Sequence, residues 1–285
     1  MPTLMRTLTA DDVASAMELS TAAKWNQTPE DWHRIMHLSS ESCRCIEDAG
    51  KIVATTTLLP YGQQLAWIGM VLTRPEYRRQ GLARRLIEDA IATAERRGLR
   101  TLKLDATDEG RPLYESFGFV VEQTIERWGT DAAPGTQGNS ADTHAEAYSD
   151  DLGHSRLTEN LIVLDGAAFG ASRGDLLKLL LKSGTCHMTS NGYVLSRAGI
   201  FARYLGPCVA NSEAEASQLI HAHLESHTNR SHGWYWDLLS KNESSIRCAK
   251  RFSFTRRRTL WRMRLGQAIE NNDAMVYAIA GFELG

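Results

Sequence analysis

Cysteine is scarce and poorly arranged for cross-linking. Cys43, Cys45, Cys186, Cys208 and Cys248 are odd in number and scattered, which fits a reducing cytoplasm better than a disulfide framework. Cys43 and Cys45 fall on one face of a strand, and no second Cys/His pair follows at ligand spacing, so no metal site is expected. His221 and His223, two apart on a helix, do not point together. No apolar run approaches the length of a membrane span, and the opening MPTLMRTLTADD has no signal-peptide core, so no membrane partner is expected. The formal net charge of -2 argues against wholesale attraction to nucleic acid. One basic run, Arg247 to Arg264, interleaves Phe252, Phe254 and Trp261. Strand alternation there would expose most arginines and bury the aromatics, and no nucleic-acid partner is expected.

What is present is ample core material: 42% hydrophobic and 23% charged residues over 285 positions, enough for one large or two medium domains. The chain is organised around residues 66 to 119. Ala66 to Thr73 is an apolar run of the kind buried on both faces, and Pro75 ends it. Leu82, Leu86, Ile87, Ala90, Ile91 and Ala94 recur at helical spacing opposite Arg84, Arg85, Glu88, Asp89, Arg96 and Arg97. Between strand and helix lies Arg78-Arg79-Gln80-Gly81-Leu82-Ala83. Free N–H groups and the positive dipole end at a helix start make an anion site there, and small Gly81 and Ala83 let a pyrophosphate approach the main chain.

This stretch resembles the GNAT acyltransferase superfamily. Arg78, Gly81 and Ala83 fit its [Q/R]-x-x-G-x-[G/A] signature, and Leu113-Tyr114-Glu115-Ser116-Phe117-Gly118-Phe119 is similar to its LYxxxGF element. The resemblance implies an α/β fold with a mixed, splayed β-sheet flanked by helices, and acetyl-CoA as co-substrate. It places the pantetheine arm along Val71, Leu72 and Thr73 and the pyrophosphate on Arg78, Arg79, Gln80, Gly81, Leu82, Ala83 and Arg84. Tyr114 becomes the general acid for the leaving thiolate; the competing reading is an aromatic packed ahead of Phe117 and Phe119. Thr107 stands about where many relatives carry an asparagine that touches pantetheine.

Taken in order, Met5 to Thr9 reads as a strand and Val13 to Leu19 as a helix. Thr28 as N-cap, Pro29 at the first helical position and Asp31 as box partner predict a second helix. In the family, helices here wall the acceptor pocket, which makes Trp25, Asn26 and Asp31 substrate-contact candidates; their alternative is a loop closed by indoles and an ordinary cap. Ser42 to Asp48 and Lys51 to Leu59 form a hairpin turning at Ala49-Gly50. Gly98 ends the long helix, Leu102 to Asp105 is a strand, and Phe119 to Trp128 closes the unit.

Residues 129 to 156 lack periodicity and read as a linker between a catalytic domain at 1–128 and a divergent domain at 157–285. The second half repeats the order of the first and resembles a degenerate GNAT-like domain. Asn211-Ser212-Glu213-Ala214-Glu215 replaces the basic glycine loop, and two carboxylates at a helix start would repel a pyrophosphate.

Acetyl transfer to an amine needs a neutral nucleophile. Deprotonating a lysine-like amine at neutral pH costs roughly 4.6 kcal/mol, so a base or desolvation must help. Glu76, Asp31, Asp105 and His33 are all open as the base. A backbone amide near Val71 is the expected oxyanion donor. The expected function is acetylation of a primary amine, of a small molecule in preference to a protein lysine, with the second domain covering the acceptor cleft or mediating homodimer formation. The rival is a non-catalytic acetyl-CoA-binding module.

Overall fold

The computed structural model describes residues 3–131, 146–147, 154–227 and 233–285. In chain order the elements are β1 (Leu4–Thr7), α1 (Val13–Ala22), α2 (Pro29–Ser39), β2 (Arg44–Asp48), β3 (Lys51–Tyr61), β4 (Leu65–Thr73), α3 (Leu82–Arg96), β5 (Thr101–Ala106), α4 (Arg111–Glu115) and β6 (Val120–Thr130). There follow β7 (Glu146–Ala147), α5 (His154–Phe169), α6 (Gly174–Ser183), β8 (Thr185–Met188), β9 (Gly192–Arg197), β10 (Arg203–Ala210), α7 (Glu213–Ser226), β11 (Trp234–Leu239), α8 (Glu243–Arg251), β12 (Thr255–Gly266) and β13 (Val276–Ala278). Among the described residues, no helix is long and apolar enough to cross a membrane.

The chain forms two compact units from interleaved segments. The first comprises Met1–Val121, Met263–Ile269 and Phe282–Gly285; the second comprises Glu122–Arg262 and Glu270–Gly281. Of the expected linker, residues 132–145 and 148–153 lie outside the described residues, while β6 runs on to Thr130 and α5 starts at His154.

In the first unit the strand order is β1-β2-β3-β4-β5, with the Met263–Gly266 end of β12 completing the sheet beside β5. Thr101 Oγ1 donates to Gln267 O (2.8 Å) and Gln267 N to Arg100 O (3.3 Å) along that border. α2 starts as its sequence dictates: Thr28 and Asp31 form a reciprocal capping box, with Pro29 inside the first turn. The hairpin turns through Ala49 (φ 48°) and Gly50 (φ 80°), the left-handed pair a two-residue turn needs. One face of α3 buries Leu82, Leu86, Ile87, Ala90 and Ala94, and Leu82 and Leu86 pack against Ile46, Val53 and Ala54.

In the second unit the order is β12-β6-β11-β10-β9-β8-β7, and β6 pairs antiparallel with β11 from Trp234–Thr130 to Leu239–Ile125. Its core gathers Trp128, Leu205, Leu219, Ile220, Trp234, Trp236, Phe252 and Phe254. Arg127 forms a buried bidentate pair with Asp237 (2.8 and 2.7 Å). Of the basic run, Arg247, Lys250, Arg251, Arg256 and Arg257 are exposed and Arg262 is buried, and Phe201, ahead of β10, is 49% exposed.

Candidate active site

β4 and β5 pair in parallel at Leu65–Thr101, Ala66–Leu102 and Trp67–Lys103, and beyond Trp67 they part. At the parting point β4 carries a bulge. Thr57 faces Gly69 and Thr55 faces Leu72, so Met70 and Val71 together oppose Thr56. Met70 sits at φ 49°, and its carbonyl accepts from Thr55 Oγ1 at 2.8 Å. A bulge of this kind takes backbone groups out of the ladder and re-aims them. Leu72 is buried, while Val71 and Thr73 are half-buried along the gap.

After β4 a short turn over Pro75–Tyr77 leads to Arg79 (φ 61°) and Gly81 (φ 79°), which caps α3. A non-glycine residue held left-handed costs about 1–3 kcal/mol and is characteristic of functional sites. Alternating backbone handedness of this type forms an N–H concavity for anions, continued by the first-turn amides of Leu82, Ala83 and Arg84. A Cβ placed on Gly81 would meet nothing within 4 Å, so the approach to the main chain is open. Arg78, Arg79 and Gln80 are exposed there. Arg84 is held over the Phe117 ring (4.8 Å) and donates to Ser116 Oγ (2.9 Å). The donor set thus matches a pyrophosphate.

Tyr114 lies on α4, is 7% exposed, and meets Phe119 edge-on with centroids 5.9 Å apart. Burial pushes its hydroxyl well above the ordinary value of 10. Thr107 Oγ1 accepts from Gly110 N (3.1 Å), which caps the turn leading into α4.

On the α1–α2 side, Lys24 (φ 56°) leads into half-buried Trp25 and buried Asn26. Asp31 is engaged in structure: one oxygen accepts from Arg34 Nη1 (2.5 Å), the other from Thr28 N (2.9 Å) and Thr28 Oγ1 (3.0 Å). Among the other possible bases, His33 is exposed on α2, and Glu76 is exposed beside Lys51 at 3.7 Å.

Residues that sequence reasoning missed come from the far end of the chain. Phe282, Glu283 and Leu284 run against β4. Trp67 Nε1 donates to Phe282 O (2.9 Å), Tyr61 OH to Leu284 O (2.7 Å), and Gln27 Nε2 to Glu283 Oε2 (2.8 Å). Gly69 makes room for them, since a Cβ there would lie 2.7 Å from Glu283 O.

The second unit repeats the frame with different residues at the bulge and at the helix start. β10 bulges where β4 does: Leu205 faces Ser196 and Cys208 faces Val194, leaving Gly206 and Pro207 opposite Leu195. Pro207 takes the position equivalent to Val71 and has no N–H to offer. β10 and β11 pair only at Arg203–Trp234, Tyr204–Tyr235 and Leu205–Trp236, and β13 fills the gap beyond. Trp236 Nε1 donates to Tyr277 O (2.7 Å) and Ile279 N to Asp237 O (3.1 Å). At the start of α7, Ser212 caps the helix and Glu213 is paired with Arg247 (2.7 Å).

Comparison with known proteins agrees with this geometry. The acetyltransferase (GNAT) family model matches residues 10–119, and a second acetyltransferase (GNAT) domain model matches residues 161–278. An uncharacterized N-acetyltransferase of Bacillus subtilis, YitH, is 30% identical over 180 residues, which is 60% of this chain and 60% of that protein. A Pyrococcus horikoshii crystal structure superposes with a TM-score of 0.84 at 20% identity, covering 99% of this chain and 96% of that one. A tandem GNAT protein from the clavulanic acid biosynthesis pathway does so with a TM-score of 0.69 at 14% identity, covering 93% and 98%; likeness at these identities speaks for the fold. The chain therefore belongs to the GNAT acetyltransferase family, and it carries two GNAT domains in tandem.

Proposed function

We propose that the first unit moves an acetyl group from acetyl-CoA to the primary amine of a small molecule, and that the second unit holds no CoA. The observation that carries this reading is the coincidence, in one unit only, of a parted strand pair that, among the described residues, no other strand fills, a bulge at Met70–Val71 and a left-handed turn at Arg79 and Gly81 before α3. Acetyl-CoA supplies the activated thioester. The amides of Arg79 to Arg84 hold its pyrophosphate, with Arg78 and Arg84 adding charge, and the edge of Val71, Leu72 and Thr73 pairs with the pantetheine arm. The Val71 N–H stabilises the developing oxyanion, and Tyr114 donates its proton to the departing sulfur. Trp25 and Asn26 line the acceptor side, while Asp31 keeps α2 in place. The catalytic part is thus the first unit, residues 1–121 with the borrowed segments 263–269 and 282–285, and the second unit is its degenerate partner. A small acceptor is favoured because residues 282–284 already cover part of β4, at Trp67 and Gly69.

Calorimetric titration with acetyl-CoA tests the reading. One site per chain is expected, lost in Gly81→Glu, where a carboxylate enters the phosphate turn and a side chain meets φ 79°. Two sites would overturn the assignment of the second unit, and absence of binding would overturn the proposal. Acetylation of an intact protein with no small amine accepted would overturn the acceptor class.

A further inference from the structure

The geometry points to Thr55 as a positioning residue for the transfer proposed above: its hydroxyl sets the Met70–Val71 peptide so that the Val71 N–H faces the parted side of β4. The inference rests on that reading and adds a residue to it. Thr55 Oγ1 donates to Met70 O at 2.8 Å. The Met70 carbonyl and the Val71 N–H belong to one peptide group, which is planar and trans, so the two point in opposite directions. Thr55 lies on β3, and β5 runs on the other side of β4 until the pair parts after Trp67. A carbonyl drawn toward β3 therefore turns its N–H toward the side that β5 has left. Met70 is held at φ 49°, an uncommon backbone state for a residue with a side chain, and the Thr55 bond is one contact that holds it there. The same bond polarises the peptide, which makes the N–H at its far end a stronger donor. Thr55 is fully buried, so its hydroxyl acts through Met70 and not on a substrate directly.

The second unit supplies an internal comparison. Its bulge places Leu205 opposite Ser196 and Cys208 opposite Val194, just as Gly69 faces Thr57 and Leu72 faces Thr55. Val194 thus occupies the place of Thr55, and Pro207 that of Val71. Hydroxyl and N–H are missing together. The Gly206 carbonyl, which stands where Met70 O does, is met instead by Arg197 Nη1 at 3.5 Å. The second bulge forms without such a hydroxyl, so a bulge alone does not require one. In this chain the hydroxyl accompanies the N–H, and that ties it to the chemistry.

Wild type, Thr55→Val and Thr55→Ser are compared. The first readout is the infrared carbonyl band of bound acetyl-CoA, isotopically labelled at that carbon, which moves to lower wavenumber when an N–H donates to its oxygen. The second is transfer to benzylamine and 1,4-diaminobutane by steady-state kinetics. Wild type should show the band shifted from that of free acetyl-CoA. Thr55→Val, which reproduces the second unit's residue, should return it most of the way. It should also lower kcat roughly tenfold to a hundredfold, short of the full loss of an oxyanion donor. The acetyl-CoA Kd and the amine KM should stay within about twofold. Thr55→Ser keeps the hydroxyl and should recover the band and most of the rate. A merely structural role would lower stability and leave the band in place. Thr55→Ala removes the same hydroxyl and decides the matter if Thr55→Val does not fold. An unmoved band or an unchanged kcat in the folded variant overturns the inference, as does an unshifted band in wild type. Failure of wild type to bind acetyl-CoA would overturn the proposed function itself. A shifted band with neither amine acetylated would overturn the acceptor class alone and leave the band to decide on Thr55.

Discussion

Tyr114 shows how one residue can be prepared by its surroundings. Burial raises its pKa, so the phenol keeps its proton across the whole neutral range and is always loaded as a donor. Its ring meets Phe119 in a T-shaped contact that a phenylalanine at 114 would keep. Tyr114→Phe should therefore lower kcat by roughly 10²–10⁴, the usual span for one acid–base group, with acetyl-CoA affinity preserved. The rate of wild type should show no loss from this group below pH 10; an alkaline limb below 10 that disappears in Tyr114→Phe would exclude the role. Tyr114 and Gly81 were legible in the sequence because the motifs around them are contiguous. Glu283 was not: it meets Gln27 across 256 positions, and nothing local in Phe282-Glu283-Leu284 marks it.

At the scale of elements, caps and turns were readable because their causes are local. Thr28-Pro29-Asp31 predicted the start of α2, and Ala49-Gly50 predicted the hairpin. β13 could not be read, since three residues carry no period, and its place is fixed by the gap between β10 and β11. Another long-range product is the histidine group of the second unit. His187 Nδ1 and His223 Nδ1 are 2.9 Å apart, and His223 and His227 have centroids 4.8 Å apart. One ring must donate to the other, so the His187–His223 pair does not survive with both rings protonated. Burial, then the neighbouring histidines and Arg203, holds His223 well below its ordinary value of 6.5. Unfolded, the ring takes up a proton below pH 6.5; folded, it resists. The stability is fully present above 6.5 and falls as pH drops beneath it, by up to about 1.4 kcal/mol per unit for this group. Denaturant melts at pH 7.5 and 5.0 should show that loss, and His223→Gln should reduce the gap. Equal stability of wild type at the two pH values would contradict it.

For the whole molecule, the doubled GNAT order was visible in the sequence, but the way segments are allotted was not. The residue pattern marks β6 and β12 as strands and is silent on which partner each takes. β6 joins the sheet of the second unit, and Met263–Gly266 of β12 completes that of the first. A cut within residues 132–145 should therefore leave two fragments that each lack a strand of their sheet. Residues 1–131 and 146–285, expressed separately, should show weak or no cooperative unfolding; mixed, they should recover a single sharp transition and acetyl-CoA binding. A first fragment that folds alone and binds acetyl-CoA with wild-type affinity would refute this.

The loan of Met263–Ile269 to the first unit has a bearing on inheritance. A gene rearrangement that replaced the second half with an unrelated module would also remove the strand beside β5 and the Phe282–Leu284 segment against β4. The residues at the start of α7 in the second copy could change freely, because that copy also serves the first unit structurally. Its residues 263–269 and 282–285 could not, and descendants of this architecture should keep or lose the two copies together.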